Sequence, residues 1–183
     1  MTDQTSGNGA STGPASPQAS AAPGPQGPGA QGPGGTPQVT LTVLAQYVKD
    51  LSFENPRAPG VFGQAGQPQS GAQVTVEVHN IGERVYEVVL NMRVEGQIAG
   101  EPAYLVELAY GGVFAIGSVA GEMIEPLLMV EAPRLLFPFA RGVAAAATRE
   151  GGFPQVLINP IDFASLYRGH RRQRAQQDAA SAG

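Results

Sequence analysis

The chain has 183 residues, of which 42% are hydrophobic and 14% charged, and its formal net charge is -4. That length suits one packed domain with tails, and so mild a charge excludes a field strong enough to make nucleic acid the main partner. With no cysteine in the sequence, disulfides, thiolate metal sites and thiol nucleophiles are excluded, and a reducing, cytoplasmic setting is expected.

No basic stretch followed by an apolar run opens the chain, so no secretory leader is expected. No segment approaches the ~20 apolar residues of a membrane-spanning helix. Residues 1–38 are almost all Gly, Pro, Ser, Ala, Gln and Thr, with Asp3 as the one charged side chain and no aromatic residue. Such a stretch has too little apolar surface to offset the ~1–2 kcal/mol of backbone entropy lost per ordered residue. It reads as a disordered extension. Its glycines do not keep the collagen triplet, because Ala30 breaks the phase, and no Gly-Lys-Ser/Thr follows them as a phosphate loop requires.

The domain is expected over residues 39–168, where 13 acidic side chains face 8 basic ones. From Val39 to Glu54 the sequence alternates. Val39, Leu41, Val43, Ala45, Tyr47, Leu51 and Phe53 fall on one face, and Thr40, Thr42, Gln46, Asp50, Ser52 and Glu54 on the other. A two-residue period marks a strand. Asn55-Pro56 and Ala58-Pro59-Gly60 stop it, and a Gly/Gln/Pro loop follows to about Ala72. Val74, Val76 and Val78 mark a second strand, residues 85–98 a third and residues 103–116 a fourth, joined by short turns at 81–84 and 99–102. Short turns favour an antiparallel meander. The fourth strand is apolar on both faces, with Tyr104, Val106, Leu108 and Tyr110 opposite Ala103, Leu105 and Ala109. Its second face is therefore expected to be partly covered, by helices or by another subunit.

After Gly121 the pattern turns helical. A first helix is expected over 122–132, ended by Pro133, and a second over 139–150, opened by Pro138 and closed by Gly151-Gly152. A third starts at Asn159-Pro160, with Asp162 complementing its dipole and Ile161, Phe163 and Leu166 as its docking stripe. From Gly169 to 183 a flexible polar tail, the frayed end of a helix running into solvent, carries Arg171, Arg172 and Arg174. The fold class is α+β, a four-stranded antiparallel sheet followed by helices on one face.

No catalytic constellation emerges. His79 and His170 lack neighbours at metal-ligand spacing, so no metal or other cofactor is expected. Lys49, the single lysine, interrupts the apolar face of the first strand and reads as an edge device against aggregation. Asp50 and Glu54 share a strand face about 13 Å apart at ~3.3 Å per residue, too far for a retaining glycosidase pair. They are either a solvated face or a docking patch for a basic partner.

Read in order, several blocks resemble the SecB family of protein-export chaperones. They are Tyr47-Val-Lys-Asp-Leu-Ser-Phe-Glu-Asn-Pro56, Val85-Tyr-Glu-Val-Val-Leu90, Gly111-Gly-Val-Phe-Ala-Ile116, Leu135-Leu-Phe-Pro-Phe-Ala-Arg141, Gly152-Phe-Pro-Gln155 and Asn159-Pro-Ile-Asp-Phe163. The resemblance implies a homotetramer, a dimer of dimers with helices between sheets. It implies a chaperone, not an enzyme, that binds unfolded precursor proteins without ATP and passes them to the SecA translocation motor. The positions matching the family's motor-binding surface are Asp50, Glu54, Leu105 and Glu107. The basic tail and the N-terminal extension have no counterpart in the resemblance.

Holding many unrelated clients calls for apolar surface, worth roughly 25 cal/mol per Å² and without directional demand. A client groove is expected where the loop after the first strand meets the helices, with Phe53, Val61, Phe62, Phe163 and Leu166 as its candidate lining. Two other classes stay open at this point. A hot-dog-like thioesterase would need its helix early among the strands, and a plain interaction module would prefer one ligand over many.

Overall fold

The computed structural model describes residues 40–181, and the extension 1–38, Val39 and the last two residues lie outside the described part. Four strands, β1 (Leu41–Glu54), β2 (Gln69–Gly82), β3 (Val85–Ile98) and β4 (Glu101–Ile116), form one antiparallel sheet in the order β1-β4-β3-β2. The expected meander holds for β2 to β4 alone. The long connection after Glu54, with a short helical turn at Gly60–Gly63, carries the chain across the sheet so that β1 lies beside β4, a Greek-key arrangement. β3 has the expected limits. β2 begins earlier than its valines indicate, because Gln69–Gln73 pair with Gln97–Arg93 through the backbone, with only the small Ala72 as an apolar side chain to signal it.

β1 carries two bulges, where the register with β4 shifts between Val43 and Ala45 and between Val48 and Asp50. Each extra residue reverses which face the following side chains take. Val48, paired with Tyr110, therefore joins the face of Leu51 and Phe53. Ala45 and Tyr47, expected on that face, pair with Val113 and Gly111 on the other. The simple alternation misplaces the middle of the strand for this reason.

The helical layer is a continuous run, α1 (Gly121–Pro126), a wider π-type turn (Leu127–Glu131) and α2 (Ala132–Glu150). Two helices divided at Pro133 were expected. Instead Pro133 sits buried at the start of α2, directly after the wide turn, where its missing N–H is absorbed by the irregular hydrogen-bonding. Pro138 lies inside α2 on its exposed side. The lost bond there is offset by burial of Leu136, Phe137, Ala140 and Ala144 against the sheet.

α3 (Phe163–Ser181) begins three residues later than Asn159-Pro160 suggests. Asp162 caps it, accepting the Ser165 N–H at 3.0 Å and the Ser165 hydroxyl at 2.6 Å, and these bonds hold its carboxyl below the usual carboxylate range. The segment from Gly169, expected as the frayed, flexible end of a helix, is helical to Ser181, and its residues 169–180 are exposed. Its Ala, Arg and Gln content suits a helix without tertiary support.

The core lies between the helical layer and one sheet face. Val88, Leu90, Val94, Val106, Phe114 and Leu136 are fully buried there. Two consecutive glycines serve the two faces. A Cβ on Gly112 would lie 2.6 Å from Leu136 Cδ2, so the missing side chain lets α2 approach; a Cβ on Gly111 would lie 2.8 Å from the Tyr47 ring on the opposite face. The second face of β4 is left half-open at Leu105 and Ala109, with no helix over it, while Ala103 is buried where β4 bulges.

Candidate functional site

Two surfaces combine exposure with specific chemistry, and they lie back to back on the same strands. On the helix side, Phe53 near the end of β1, Tyr104 at the start of β4, Phe62 in the crossing connection and Phe153 after α2 gather into one aromatic cluster. Phe153 is central, with ring centroids 4.9 Å from Tyr104, 5.4 Å from Phe62 and 6.4 Å from Phe53; Phe53 and Tyr104 stack at 6.2 Å. Such offset and tilted pairs are favourable. Glycines make room for them, since a Cβ on Gly96 would stand 2.2 Å from the Tyr104 ring and one on Gly151 2.0 Å from Phe53. The Tyr104 hydroxyl meets the Ser70 hydroxyl at 2.6 Å. Phe153 is buried, whereas Phe62 is 53% exposed. The cluster thus presents an aromatic surface on a fixed base.

Of the five residues expected to line a groove, Phe53 and Phe62 belong to this cluster. Val61 and Phe163 do not line an open surface, being 2% and 1% exposed. Val61 turns inward beside Phe62, and Phe163 packs edge-on against Phe137 at 5.9 Å as the first residue of α3. Both serve the core, because the apolar side chains of a short turn and of a helix start are the ones that dock those segments. Leu166 is exposed and lines a different groove, with Val74, Ile161, Gly169 and His170, between α3 and β2. Tyr104 and Phe153 were missed. Tyr104 read as an ordinary alternating strand residue, and the one signal for Phe153 was an aromatic residue directly after the helix-ending Gly151-Gly152.

The other surface is the sheet face without helices. Asp50 pairs with Ala109, Ser52 with Glu107 and Glu54 with Leu105, so Asp50, Glu54, Leu105 and Glu107 are brought onto one face of two neighbouring strands. Leu105 is half-buried and the three acids are exposed. Glu107 accepts a hydrogen bond from Arg93, which also reaches Glu95 at 2.8 Å; those contacts hold the Arg93 guanidinium above its ordinary value. Arg93 and Glu95 were not singled out, although they alternate on β3 in step with Asn91.

Further along this face Glu87 receives Lys49 at 2.8 Å and the Tyr47 hydroxyl. The Lys49 and Tyr47 hydrogen bonds hold the Glu87 carboxyl below its usual range, and the bond to Glu87 pushes the Tyr47 phenol up to about 12. Lys49 thus sits in the second bulge of β1 as an ion-pair partner. Among the described residues no three His, Cys, Asp or Glu side chains converge as metal ligands, and no helix is long and apolar enough to cross a membrane.

Known proteins are similar to this chain in sequence and fold. A family model described as preprotein translocase subunit SecB matches residues 35–174. A protein-export protein SecB from Bradyrhizobium diazoefficiens is 47% identical over 148 residues, covering 80% of this chain and 89% of its own. That of Nitrobacter winogradskyi is 49% identical over 154 residues, covering 80% and 97%. Among solved structures, a Mycobacterium tuberculosis SecB-like chaperone in complex with an antitoxin peptide has a similar fold. Its TM-score is 0.56 at 10% identity, with 66% of this chain and 90% of that one covered. Fold and matches together define a chaperone of protein export. The chain belongs to the SecB family.

Proposed function

We propose that the protein is a cytoplasmic, ATP-independent holding chaperone that binds unfolded precursor proteins on its aromatic cluster and delivers them to SecA. The observation that carries this reading is the exposed Phe62 ring standing on the buried Phe153. An apolar ring held out on a fixed base captures apolar client side chains without requiring a sequence. The Bradyrhizobium and Nitrobacter relatives, named for protein export, supply the cellular task. The acidic face of Asp50, Glu54, Leu105 and Glu107 is the docking patch for SecA, and its carboxylates suit a basic surface on that partner. No step in holding and handover calls for catalysis.

Self-association into a homotetramer, a dimer of dimers, is part of the proposal. β1 is an edge strand with Val43, Leu44, Val48 and Leu51 exposed, and Leu135 and Phe139 stand exposed on α2. Apolar groups so arranged on a sheet edge and a helix suit burial against further copies.

Analytical ultracentrifugation with a slowly folding precursor tests the proposal. A tetramer is expected that co-sediments with the unfolded precursor and not with its folded form. Phe62→Ala is expected to weaken that binding several-fold with the tetramer intact, and Asp50→Lys with Glu54→Lys to abolish SecA binding alone. A protein that ignores the unfolded chain would sink the reading.

A further inference from the structure

We propose that Thr148 is a positioning residue for the client-binding aromatic cluster, an inference that rests on the reading of that cluster given above. Thr148 is the one polar residue among the fully buried side chains of the described part. It lies three residues before Gly151, where α2 ends. There the Gly152 N–H bonds to the Arg149 carbonyl at 3.0 Å and the Phe153 N–H to the Thr148 carbonyl at 3.1 Å, with Gly152 at φ +86°. These are the two bonds of a Schellman motif, in which a left-handed residue turns the chain off the helix.

Thr148 contributes more than its carbonyl. Its hydroxyl donates to the Ala145 carbonyl at 3.0 Å and accepts the Val156 N–H, also at 3.0 Å. One residue therefore fixes both ends of the segment 153–156, through its main chain at Phe153 and its side chain at Val156. That segment has no strand or helix of its own, so such bonds decide where it sits. Phe153 is the ring that Phe53, Phe62 and Tyr104 all touch. The path runs from the Thr148 hydroxyl through the 153–156 backbone to the Phe153 ring and on to Phe62, which meets the client.

The α2 helix itself does not need the hydroxyl. Valine at 148 has nearly the same shape but leaves the buried Val156 N–H without its acceptor, and an unmet buried donor drives the segment to shift. Serine keeps the acceptor and loses only a methyl group.

The test measures binding of reduced, carboxymethylated α-lactalbumin, a chain that stays unfolded, by the full-length protein. Thr148→Val is expected to bind about tenfold more weakly than wild type, with its sedimentation unchanged and its Val156 amide exchanging faster. Thr148→Ser is expected to stay within about twofold of wild type. Wild-type affinity in Thr148→Val, or a Thr148→Ser as weak as Thr148→Val, overturns the assignment, because either result takes the hydroxyl out of the path. Where Thr148→Val does not fold, the Val156 amide of wild type and Thr148→Ser decides. Slow exchange in both with binding retained supports the assignment, and fast exchange in wild type overturns it. Phe62→Ala separates the two readings. If it leaves α-lactalbumin binding untouched, the client cluster itself is wrong and Thr148 falls with it. If it weakens binding while Thr148→Val does not, only the role of Thr148 is lost.

Discussion

The two faces of the sheet are made from the same four strands yet differ in almost every physical respect. One is roofed by α2, with Val88, Leu90, Val94, Val106 and Phe114 removed from water. The other is open and carries Asp50, Glu54, Glu87, Glu95 and Glu107 with Lys49 and Arg93 among them. Stability comes mainly from the roofed face, where apolar burial is worth ~25 cal/mol per Å². The proposed recognition by charge falls to the open face, where exposed ion pairs contribute little to stability. Under the proposed function, a protein that holds clients and also docks on a motor can thus change one surface without unfolding the other.

The largest expected effect lies on the roofed face. Leu136→Ala removes a fully buried side chain from the contact between α2 and Gly112, and a loss of about 3 kcal/mol in urea unfolding is expected. If the loss were no larger than for an exposed position of the open face, the division between the faces would collapse. A matched pair of substitutions sharpens it. Gly112→Ala presses on Leu136 and Phe114 inside the core and is expected to cost about 2 kcal/mol. Gly111→Ala, one residue away, meets the Tyr47 ring on the open face, which can swing aside, so a cost below about 1 kcal/mol is expected from the same measurement.

The smallest effect concerns charge. The Glu87 carboxyl titrates below its ordinary value of 4.5 in the folded protein. Its contribution is therefore fully present above that value and is lost as pH falls through the lower folded value. The Tyr47 phenol is raised from 10.0 to about 12, so its contribution is present below pH 10.0 and lost as pH rises towards 12. Glu87→Gln is expected to flatten both limbs of the urea midpoint plotted against pH. Unchanged limbs would take this cluster out of the stability of the open face.

Much of this division is legible in the sequence. β3 could be placed to the residue because its alternation is clean and bounded on both sides by turn residues. The set of Asp50, Glu54, Leu105 and Glu107 falls together as the resemblance implies, since it needs only the alternation of two strands. Other features turn on facts that no local pattern carries. The bulges after Val43 and Val48 are set by pairing with β4. Pro133 read as the end of one helix and Pro138 as the start of the next because local propensity does not register the packing of Leu136 and Phe137. Phe53, Phe62, Tyr104 and Phe153 come from four separate segments, so their meeting is a product of the Greek-key crossing.

The two bulges of β1 bear on how the strand can vary in length. Each reverses the parity of inward and outward positions, and together they cancel, so Phe53 ends on the helix-covered face and Glu54 on the open one. Losing Lys49 itself would restore strict pairing there and leave Asp50, Leu51 and Phe53 on their present faces, since Val48 and Asp50 already pair with the adjacent Tyr110 and Ala109. Losing Leu51 or Ser52 from the regularly paired stretch beyond it would instead turn Phe53 into the charged face. Point changes along β1 act locally, whereas an insertion or deletion outside the bulges acts on every position to one side. The bulges are therefore the places where β1 can change length by one residue without exchanging its two faces.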